Sequence, residues 1–168
     1  MKKYLELIDT HTIGNRNDVT PLFADPAAFS ELVDDLAAPF LETPFEFIAG
    51  IDALGFILGA TLALTLQKGF IPLRKGGKLP VAVISREFKD YSGQAKSLEL
   101  RQGMIKPGDR VLLVDEWIET GAQVEAALGL IESQGGKIIG IATINIDANK
   151  RTKRLSERYH VHSLMTEL

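Results

Sequence analysis

Short apolar runs alternate with helix-like segments between residues 45 and 146, and this alternation constrains the fold more than any other feature. The runs that predict strands are residues 45–49, 70–73, 81–85, 97–101, 110–114 and 137–146. Between them, residues 55–68 and 121–134 have the composition of helices, each closed by glycine. Strands that alternate with helices predict an α/β fold, in which a mostly parallel central sheet is flanked by helices on both faces.

The two ends of the chain lie outside this alternation. We expect residues 1–168 to form one domain, in which about 1–24 and 148–168 add a small hood or flanking segments. A helix is predicted to begin at Asp25-Pro26, because Asp caps helices well and Pro suits the first helical position. A short basic helix at 151–158 and a last strand at 159–164 complete the C-terminal part.

Loops at one edge of the predicted sheet are where a ligand is expected. In open α/β sheets, ligands bind beyond the carboxyl ends of the strands, which here means the loops after residues 49, 73 and 114. Residues 74–80 form a basic, glycine-bearing loop. Residues 87–96 show turn residues without a clear period, which predicts a mobile loop.

Composition removes several classes of function. The 168 residues include no cysteine, which excludes disulfides, thiolate metal sites and cysteine nucleophiles and suits a reducing compartment. The net charge of −3 does not indicate a nucleic-acid surface. The longest apolar-rich stretch, residues 57–66, is too short to cross a bilayer. We therefore expect a cytoplasmic protein without nucleic-acid or membrane partners.

The segment after residue 114 carries the clearest chemical pattern. The apolar run 110–114 leads directly into Asp115 and Glu116, and Thr120-Gly121 then opens a helix. Carboxylates accept hydrogen bonds from the vicinal hydroxyls of a sugar, and amides at a helix N-terminus bind phosphate. The spacing suits a ribose 5-phosphate. A solvated turn with an N-capping Thr120 explains the same pattern equally well.

This segment resembles the binding motif for phosphoribosyl pyrophosphate (PRPP) in type I phosphoribosyltransferases, which has an apolar strand, two acids, three variable residues and Thr-Gly. The resemblance implies that Asp115 and Glu116 are catalytic residues that hold the ribose hydroxyls. It also implies a loop that holds the 5-phosphate, formed by Glu119, Thr120, Gly121, Ala122 and Gln123.

Three further segments, at 18–26, 48–59 and 70–80, resemble the adenine phosphoribosyltransferase branch, and 105–111 also fits. The resemblance implies that Asp90 or Glu87 replaces the acid of that branch's mobile loop, and we assign Asp90 as catalytic. It also implies a pyrophosphate site made of Ile51, Asp52, Ala53, Leu54, Arg74 and Lys78. Independently, Arg74 and Lys78 supply the cations that a departing pyrophosphate requires.

The chain departs from the family pattern at four of these positions. Leu54 stands where the family has arginine, Glu119 where it has a small residue, Ala122 where it has glycine, and Gln123 where it has a hydroxyl residue. Glu119 brings a negative charge towards a dianionic phosphate and weakens its binding unless the side chain turns away.

The resemblance implies transfer of the phosphoribosyl group of PRPP to a purine base, most simply adenine, with release of pyrophosphate. It further implies Mg²⁺ that is bound through PRPP and pyrophosphate rather than directly by the protein, and a homodimer. The departures favour an alternative, a non-catalytic PRPP- or nucleotide-binding protein on the same fold. For His160 and His162, a half-exposed strand is favoured over a metal pair.

Overall fold

The computed structural model describes residues 2–13, 16–90 and 92–165, and the strands found there form two sheets. The strands are β1 Phe47–Ile51, β2 Gly69–Lys75, β3 Val83–Lys89, β4 Ala95–Arg101, β5 Arg110–Val114, β6 Trp117–Ile118, β7 Lys137–Thr143, β8 Asn145–Ile146 and β9 Val161–Ser163. The larger sheet has the order β3-β4-β2-β1-β5-β7-β9, and β6 pairs with β8. Strands β2, β1, β5, β7 and β9 are parallel, whereas β4 pairs antiparallel with both of its neighbours, β2 and β3.

Helices cover both faces of this sheet, which confirms the predicted α/β fold. They are α1 Thr20–Ala24, α2 Pro26–Ala37, α3 Leu54–Thr65, α4 Ala122–Ser133 and α5 Lys150–Arg158. The predicted start of α2 is confirmed, because the Asp25 carboxylate accepts hydrogen bonds from the amides of Ala27 and Ala28 at 3.0 and 2.9 Å. Short 3-10 helices at Lys3–Leu7 and Ala38–Phe40 pack near α2.

Side chains of the central strands alternate between two apolar cores. Along β5, Leu112 and Val114 join the core under α2 and α3, whereas Val111 and Leu113 join the core under α4. Successive side chains of a strand point to opposite faces, so a strand that is apolar throughout is buried on both sides. This burial explains why the central strands could be recognised as continuous apolar runs.

The prediction of a mobile loop at residues 87–96 was wrong, because most of these residues belong to a β-hairpin. Strand β3 extends to Lys89 and β4 begins at Ala95, and the two strands pair from Val83↔Arg101 to Lys89↔Ala95. No residue of β3 is fully buried, so its side chains show no apolar period. The strand is held by backbone pairing, which a side-chain pattern does not reveal.

The predicted strand at 137–146 is divided in two. Strand β7 ends at Thr143, and the chain then steps sideways so that β8 pairs with β6. The amide of Ile144 and the hydroxyl of Thr143 both donate to the Glu116 carbonyl at 3.1 Å. Because Ile144 and its apolar neighbours are buried throughout, the pattern of hydrophobic residues gives no sign of this step.

Parts of the predicted flanking segments, residues 1, 14, 15 and 166–168, lie outside the described residues, as does residue 91 of the predicted loop. The described N-terminal part folds back on itself, because Asp9 and Asp18 form an antiparallel bridge with both N–H···O distances at 2.9 Å. The predicted strand at 159–164 is reduced to β9, and His162 Nε2 lies 3.0 Å from the Asp35 carbonyl.

Candidate active site

Three loops meet at the carboxyl edge of the parallel strands, as predicted. The register pairs Ile51 with Leu73 and Gly50 with Val114, so β1, β2 and β5 end side by side. The loops that follow these strands contain the predicted pyrophosphate segment, the basic loop and the acid pair. The fold therefore brings together segments that lie up to about 70 residues apart in the chain.

The acid pair lies in a largely desolvated position at the end of β5. Asp115 is only 7% exposed. Burial, followed by the negative charge of Glu116, raises the pKa of the Asp115 carboxyl well above its usual range. Burial likewise raises the pKa of Glu116, and the positive charge of Arg16 opposes this rise. Two adjacent carboxyl groups with raised pKa values are typical of functional sites rather than of solvated turns.

The start of α3 lies directly against this acid pair. A Cβ atom built on Gly55 would lie 2.8 Å from the Val114 carbonyl oxygen and 3.3 Å from Asp115 Oδ1. Only glycine fits this approach, because the obstructing atom is backbone. The residue before it, Leu54, is partly buried and packs against the core under α2 and α3. Asp52 and Ala53 are joined by a cis peptide bond.

The predicted phosphate loop forms the entrance to α4. Gly121 is the N-cap and has φ +77°, a left-handed conformation that favours glycine. The Ala122 amide lies 3.3 Å from the Thr120 hydroxyl, to which it donates. Amides of the first turn of a 12-residue helix face the loop without intrahelical acceptors, which is the arrangement that binds phosphate.

Two residues of the C-terminal segment hold this loop in place, although no local sequence pattern indicates this role. Asn149 Nδ2 donates to the Glu119 carbonyl at 2.8 Å, and Arg151 Nη1 donates to the Thr120 carbonyl at 3.4 Å. The aliphatic part of Arg151 also packs over Gly121. The start of α5, which the sequence marked only as basic, therefore supports the predicted phosphate loop.

The Glu119 carboxylate pairs with Arg16 of the N-terminal segment. Arg16 Nε lies 2.8 Å from Oε1, and Nη2 lies 3.3 Å from Oε2. This two-pronged contact spans 103 positions of the chain. Arg16 thus balances the negative charge that Glu119 brings to the predicted phosphate loop, although the sequence did not indicate this role for Arg16.

A cavity of about 290 Å³ connects these groups. Of the predicted site, it contains Asp115, Asp90, Glu119, Thr120, Gly121 and Gln123; its other lining residues are Arg16, Lys75, Phe88, Lys96, Trp117, Ile118 and Val124. The predicted pyrophosphate residues 51–54, Arg74 and Lys78 lie at the same sheet edge but do not line this cavity. Lys75 and Lys96 are cations that were not assigned to the site from the sequence, although Lys75 belongs to the basic loop 74–80.

Acidic side chains organise the basic loop through its backbone. Glu99 accepts from the amides of Gly77 and Lys78 at 2.6 and 3.3 Å, and the Gly77 bond is the main cause of its lowered pKa. Asp52 accepts from the Lys75 amide at 3.3 Å, which links the pyrophosphate segment to β2. Arg74 Nη1 donates to the Lys78 carbonyl at 3.0 Å.

Arg74 retains an unused donor. Its Nε atom is buried and has no hydrogen-bond partner in the described part of the chain. A buried guanidinium nitrogen without an acceptor is costly, and an anionic oxygen would satisfy it. This observation fits the predicted role of Arg74 at pyrophosphate.

Asp90 lies where the β3–β4 hairpin reaches the cavity. Its Oδ1 accepts from the Ser92 hydroxyl at 2.7 Å and from the Gln94 amide at 3.0 Å. The Ser92 hydrogen bond is the main cause of its lowered pKa. Glu87 lies in a different groove, beside α4 and α5. Of the two candidates for the loop acid, only Asp90 lines the cavity that contains Asp115.

In the described ranges, His and acidic side chains do not gather in groups of three or more that could ligate a metal. No helix among the described residues combines the length and apolarity needed to cross a bilayer.

Together, the parallel sheet, the acid pair and the helix amides at its carboxyl edge form an arrangement that suits a phosphorylated sugar. The family model for the phosphoribosyl transferase domain matches residues 24–167. This chain belongs to the phosphoribosyltransferase family and is therefore an enzyme of the transferase class, with the type I fold that the sequence predicted.

Individual relatives support the same assignment. The chain is 45% identical over 149 residues to adenine phosphoribosyltransferase from Nitrosococcus oceani, covering 88% of this chain and 86% of the relative. The crystal structure of adenine phosphoribosyltransferase from Thermoanaerobacter pseudethanolicus superimposes with a TM-score of 0.87 at 34% identity and covers 96% of each chain. The Saccharomyces cerevisiae enzyme, solved with an imino-altritol bisphosphate and adenine, has a TM-score of 0.82 at 28% identity and covers 96% of this chain and 98% of the yeast chain.

Proposed function

We propose that this enzyme joins adenine to the ribose of PRPP and releases pyrophosphate. In this reaction a bond forms between the base nitrogen and C1 of the ribose, the bond from C1 to the pyrophosphate oxygen breaks, and the base loses a proton. The observation that carries the proposal is the acid pair placed directly before the amides of α4, with the buried Asp115 lining the same cavity as Thr120 and Gly121. The choice of adenine is supported by the relatives named above.

The acid pair is assigned to the ribose. Asp115 and Glu116 accept hydrogen bonds from the two ring hydroxyls and, when ionised, stabilise the positive charge that develops on the sugar. The amides and hydroxyl of residues 120–123 hold the 5-phosphate. Because the carboxylates lie in a poorly solvated position, their electrostatic effect on the sugar exceeds that of exposed acids.

The leaving group is assigned to the neighbouring loops. Residues 51–54 bind pyrophosphate through their backbone, and Arg74 and Lys78 offset its negative charge. We assign Asp90 as the acid of the hairpin, which covers the cavity and limits the access of water. Mg²⁺, which prefers phosphate oxygens and water, belongs to the substrate pair PRPP and pyrophosphate and would supply further neutralising charge.

A direct assay tests the reaction. Purified enzyme is incubated with PRPP, Mg²⁺ and one of four bases, adenine, hypoxanthine, guanine or xanthine, and nucleotide and pyrophosphate are measured. Turnover with adenine above the other bases is expected. Turnover only with another purine would correct the base assignment. Binding of PRPP without turnover of any base would instead support the non-catalytic alternative.

We also propose that the enzyme is a homodimer that uses the outer face of α3. This helix is apolar on all sides, and Ile57 and Leu64 remain 40% and 83% exposed. A helix that is hydrophobic all round is normally buried, which supports a second copy as its cover. Sedimentation should give twice the monomer mass, and Leu64→Glu should shift the mass to that of a monomer. A wild-type monomer at micromolar concentration would reject this proposal.

The remaining assignments follow from the same reading. We propose that residues 1–168 act as one domain, with the flanking segments as a hood over the cavity. The absence of cysteine suits a reducing compartment, and we assign the reaction to the cytoplasm. Fractionation of cells that produce the protein at its native level tests this location.

A further inference from the structure

The ion pair between Arg16 and Glu119 joins two segments that the reaction requires. Glu119 belongs to the loop proposed to hold the 5-phosphate, and Arg16 belongs to the N-terminal segment. Their contact is two-pronged, with distances of 2.8 and 3.3 Å. Both side chains line the cavity that contains Asp115. The contact therefore lies at the binding site rather than on a remote surface.

Described residues on both sides of Arg16 make defined contacts. Asp9 and Asp18 close the base of this segment through their bridge at 2.9 Å. The Thr12 hydroxyl donates to the Arg16 carbonyl. The Asp18 carboxylate in turn accepts from the amide and hydroxyl of Thr20, at 2.9 and 2.6 Å. Arg16 thus lies two positions from the anchored Asp18, which reduces the cost of ordering its side chain.

Charge balance makes Arg16 necessary. Three carboxyl groups, those of Asp115, Glu116 and Glu119, lie within five positions at the place where a dianionic phosphate is to bind. Like charges disfavour one another in a poorly solvated site. Arg16 opposes this accumulation, since its charge lowers the pKa of both Asp115 and Glu116 against the effect of burial.

We propose that Arg16 is a positioning residue that neutralises Glu119 and holds its carboxylate away from the phosphate, so that the loop accepts a phosphorylated ribose. The role goes beyond the proposed reaction in naming a residue pair that governs affinity, and it rests on that proposal for the identity of the sugar phosphate. Arg16 acts through Glu119 and does not itself need to touch the phosphate.

A double-mutant cycle tests this role. The variants are Arg16→Ala, Glu119→Ala and the double variant, and the probe is ribose 5-phosphate, with affinity measured by calorimetry. Arg16→Ala leaves Glu119 unpaired beside the phosphate. The affinity of this variant for ribose 5-phosphate should therefore fall about tenfold. Glu119→Ala should bind more tightly than wild type. The double variant should recover most of the affinity that Arg16→Ala loses.

A matched control separates this effect from general destabilisation. Arg110→Ala removes a similar arginine from its pair with Glu46, at the opposite edge of the sheet, and should leave ribose 5-phosphate affinity unchanged. In the enzyme assay, Arg16→Ala should raise KM for PRPP with little change in kcat, because the phosphate lies away from the reacting carbon. Relative to Arg16→Ala, Arg16→Lys should recover part of the affinity for ribose 5-phosphate, since lysine restores the positive charge but not the two-pronged contact of the guanidinium.

Three results would overturn the proposal. Unchanged affinity in Arg16→Ala would show that Glu119 does not require neutralisation. A double variant as weak as Arg16→Ala would show that Arg16 contacts the phosphate itself. Failure of the wild type to bind ribose 5-phosphate would remove the premise. Lack of turnover with every base rejects the proposed reaction but leaves the affinity cycle decisive for Arg16 and Glu119.

Discussion

The two edges of the parallel sheet treat their acids in opposite ways. At the amino edge, Glu46 accepts from Arg110 Nη2 at 2.6 Å and from the Arg110 amide at 2.7 Å. The Arg110 side chain is the main cause that lowers the pKa of Glu46 to about 2. At the carboxyl edge, burial raises the pKa of Asp115 and Glu116. The two edges belong to the same strands, since Arg110 begins β5 and Asp115 follows its end.

The opposite pKa shifts indicate that the acids at the two edges have different roles. Glu46 is exposed and paired, so its ionised form is favoured and it stabilises the join between two strands. Beyond β5, Asp115 is buried and Glu116 is partly buried, so ionisation of these neighbouring acids costs free energy in the absence of ligand. A protein keeps such a cost where it serves binding or catalysis. The comparison therefore predicts opposite consequences for neutralising an acid at each edge.

Asp115→Asn should have the largest effect on activity. It removes a carboxylate assigned to the ribose, and kcat/KM should fall by about 10³-fold, the upper range for the loss of one preorganised electrostatic group. Thermal stability at pH 7 should increase, because burial disfavours ionisation of the Asp115 carboxyl and Asn has no ionisable group. The steady-state assay and thermal unfolding of the same preparation measure both effects.

The pH dependence of Asp115→Asn gives a second check. The folded pKa of Asp115 is raised, so its contribution to stability is complete below the unfolded pKa of about 3.9 and is lost as pH rises through the folded value. The stability advantage of the Asn variant should therefore be present at pH 7 and disappear near pH 4. A variant that is less stable than wild type at pH 7 would contradict the comparison.

Gly55→Ala should have the next largest effect, through packing at the carboxyl edge. The added Cβ meets the Val114 carbonyl oxygen at 2.8 Å, and relief requires a shift of the backbone beside Asp115. The free energy of unfolding should fall by about 2 kcal/mol, as for other overpacked sites, and kcat/KM should fall as well.

Gly69→Ala is the matched control at the amino edge. Its Cβ meets the ring of Phe47 at 2.7 Å, and a ring can move where a backbone carbonyl cannot. Stability should fall by less than in Gly55→Ala, and kcat/KM per folded enzyme should not change. Equal loss of activity in both variants would show that the carboxyl edge has no special sensitivity.

The sequence predicted the parts of this comparison that are local. The acid pair, Thr120 and Gly121 are neighbours in the chain, and an apolar strand before them defined their position. The central strands were recognised because burial on both faces leaves continuous apolar runs. The family and fold inferred from these segments were confirmed. The roles of the individual site residues stay predictions.

What the sequence did not reveal depends on long-range contacts or on backbone pairing. The contact between Arg16 and Glu119 joins positions 103 apart, and no pattern near either residue marks it. The support that Asn149 and Arg151 give to the phosphate loop is equally distant. The part of β3 beyond residue 85 was missed, because its side chains remain mostly in solvent while backbone hydrogen bonds pair it with β4.

Glu99→Gln sharpens the comparison, because this acid lies near the carboxyl edge but its carboxylate is hydrogen-bonded by backbone amides. Its carboxylate accepts hydrogen bonds from the backbone amides of Gly77 and Lys78. In the variant, the NH2 group of Gln would face one of these N–H groups, and that hydrogen bond would be lost. The basic loop should loosen, and KM for PRPP should rise about fivefold, in line with loss of one hydrogen bond of about 1 kcal/mol. The assay should show little change in kcat. An unchanged KM would show that this loop does not need Glu99.

Glu46→Gln should have the smallest effect and serves as the counterpart of Asp115→Asn. The folded pKa of Glu46 is lowered from 4.5 to about 2, so its stabilising contribution is present above about pH 4.5 and is lost as pH falls through 2. The variant should unfold at a slightly lower temperature than wild type at pH 7, because an exposed pair contributes little, and the difference should close between about pH 4.5 and 2. Its kcat/KM should equal that of wild type. A loss of activity in Glu46→Gln, or a stability difference that persists at pH 2, would mean that the two edges are not separated into structural and catalytic acids.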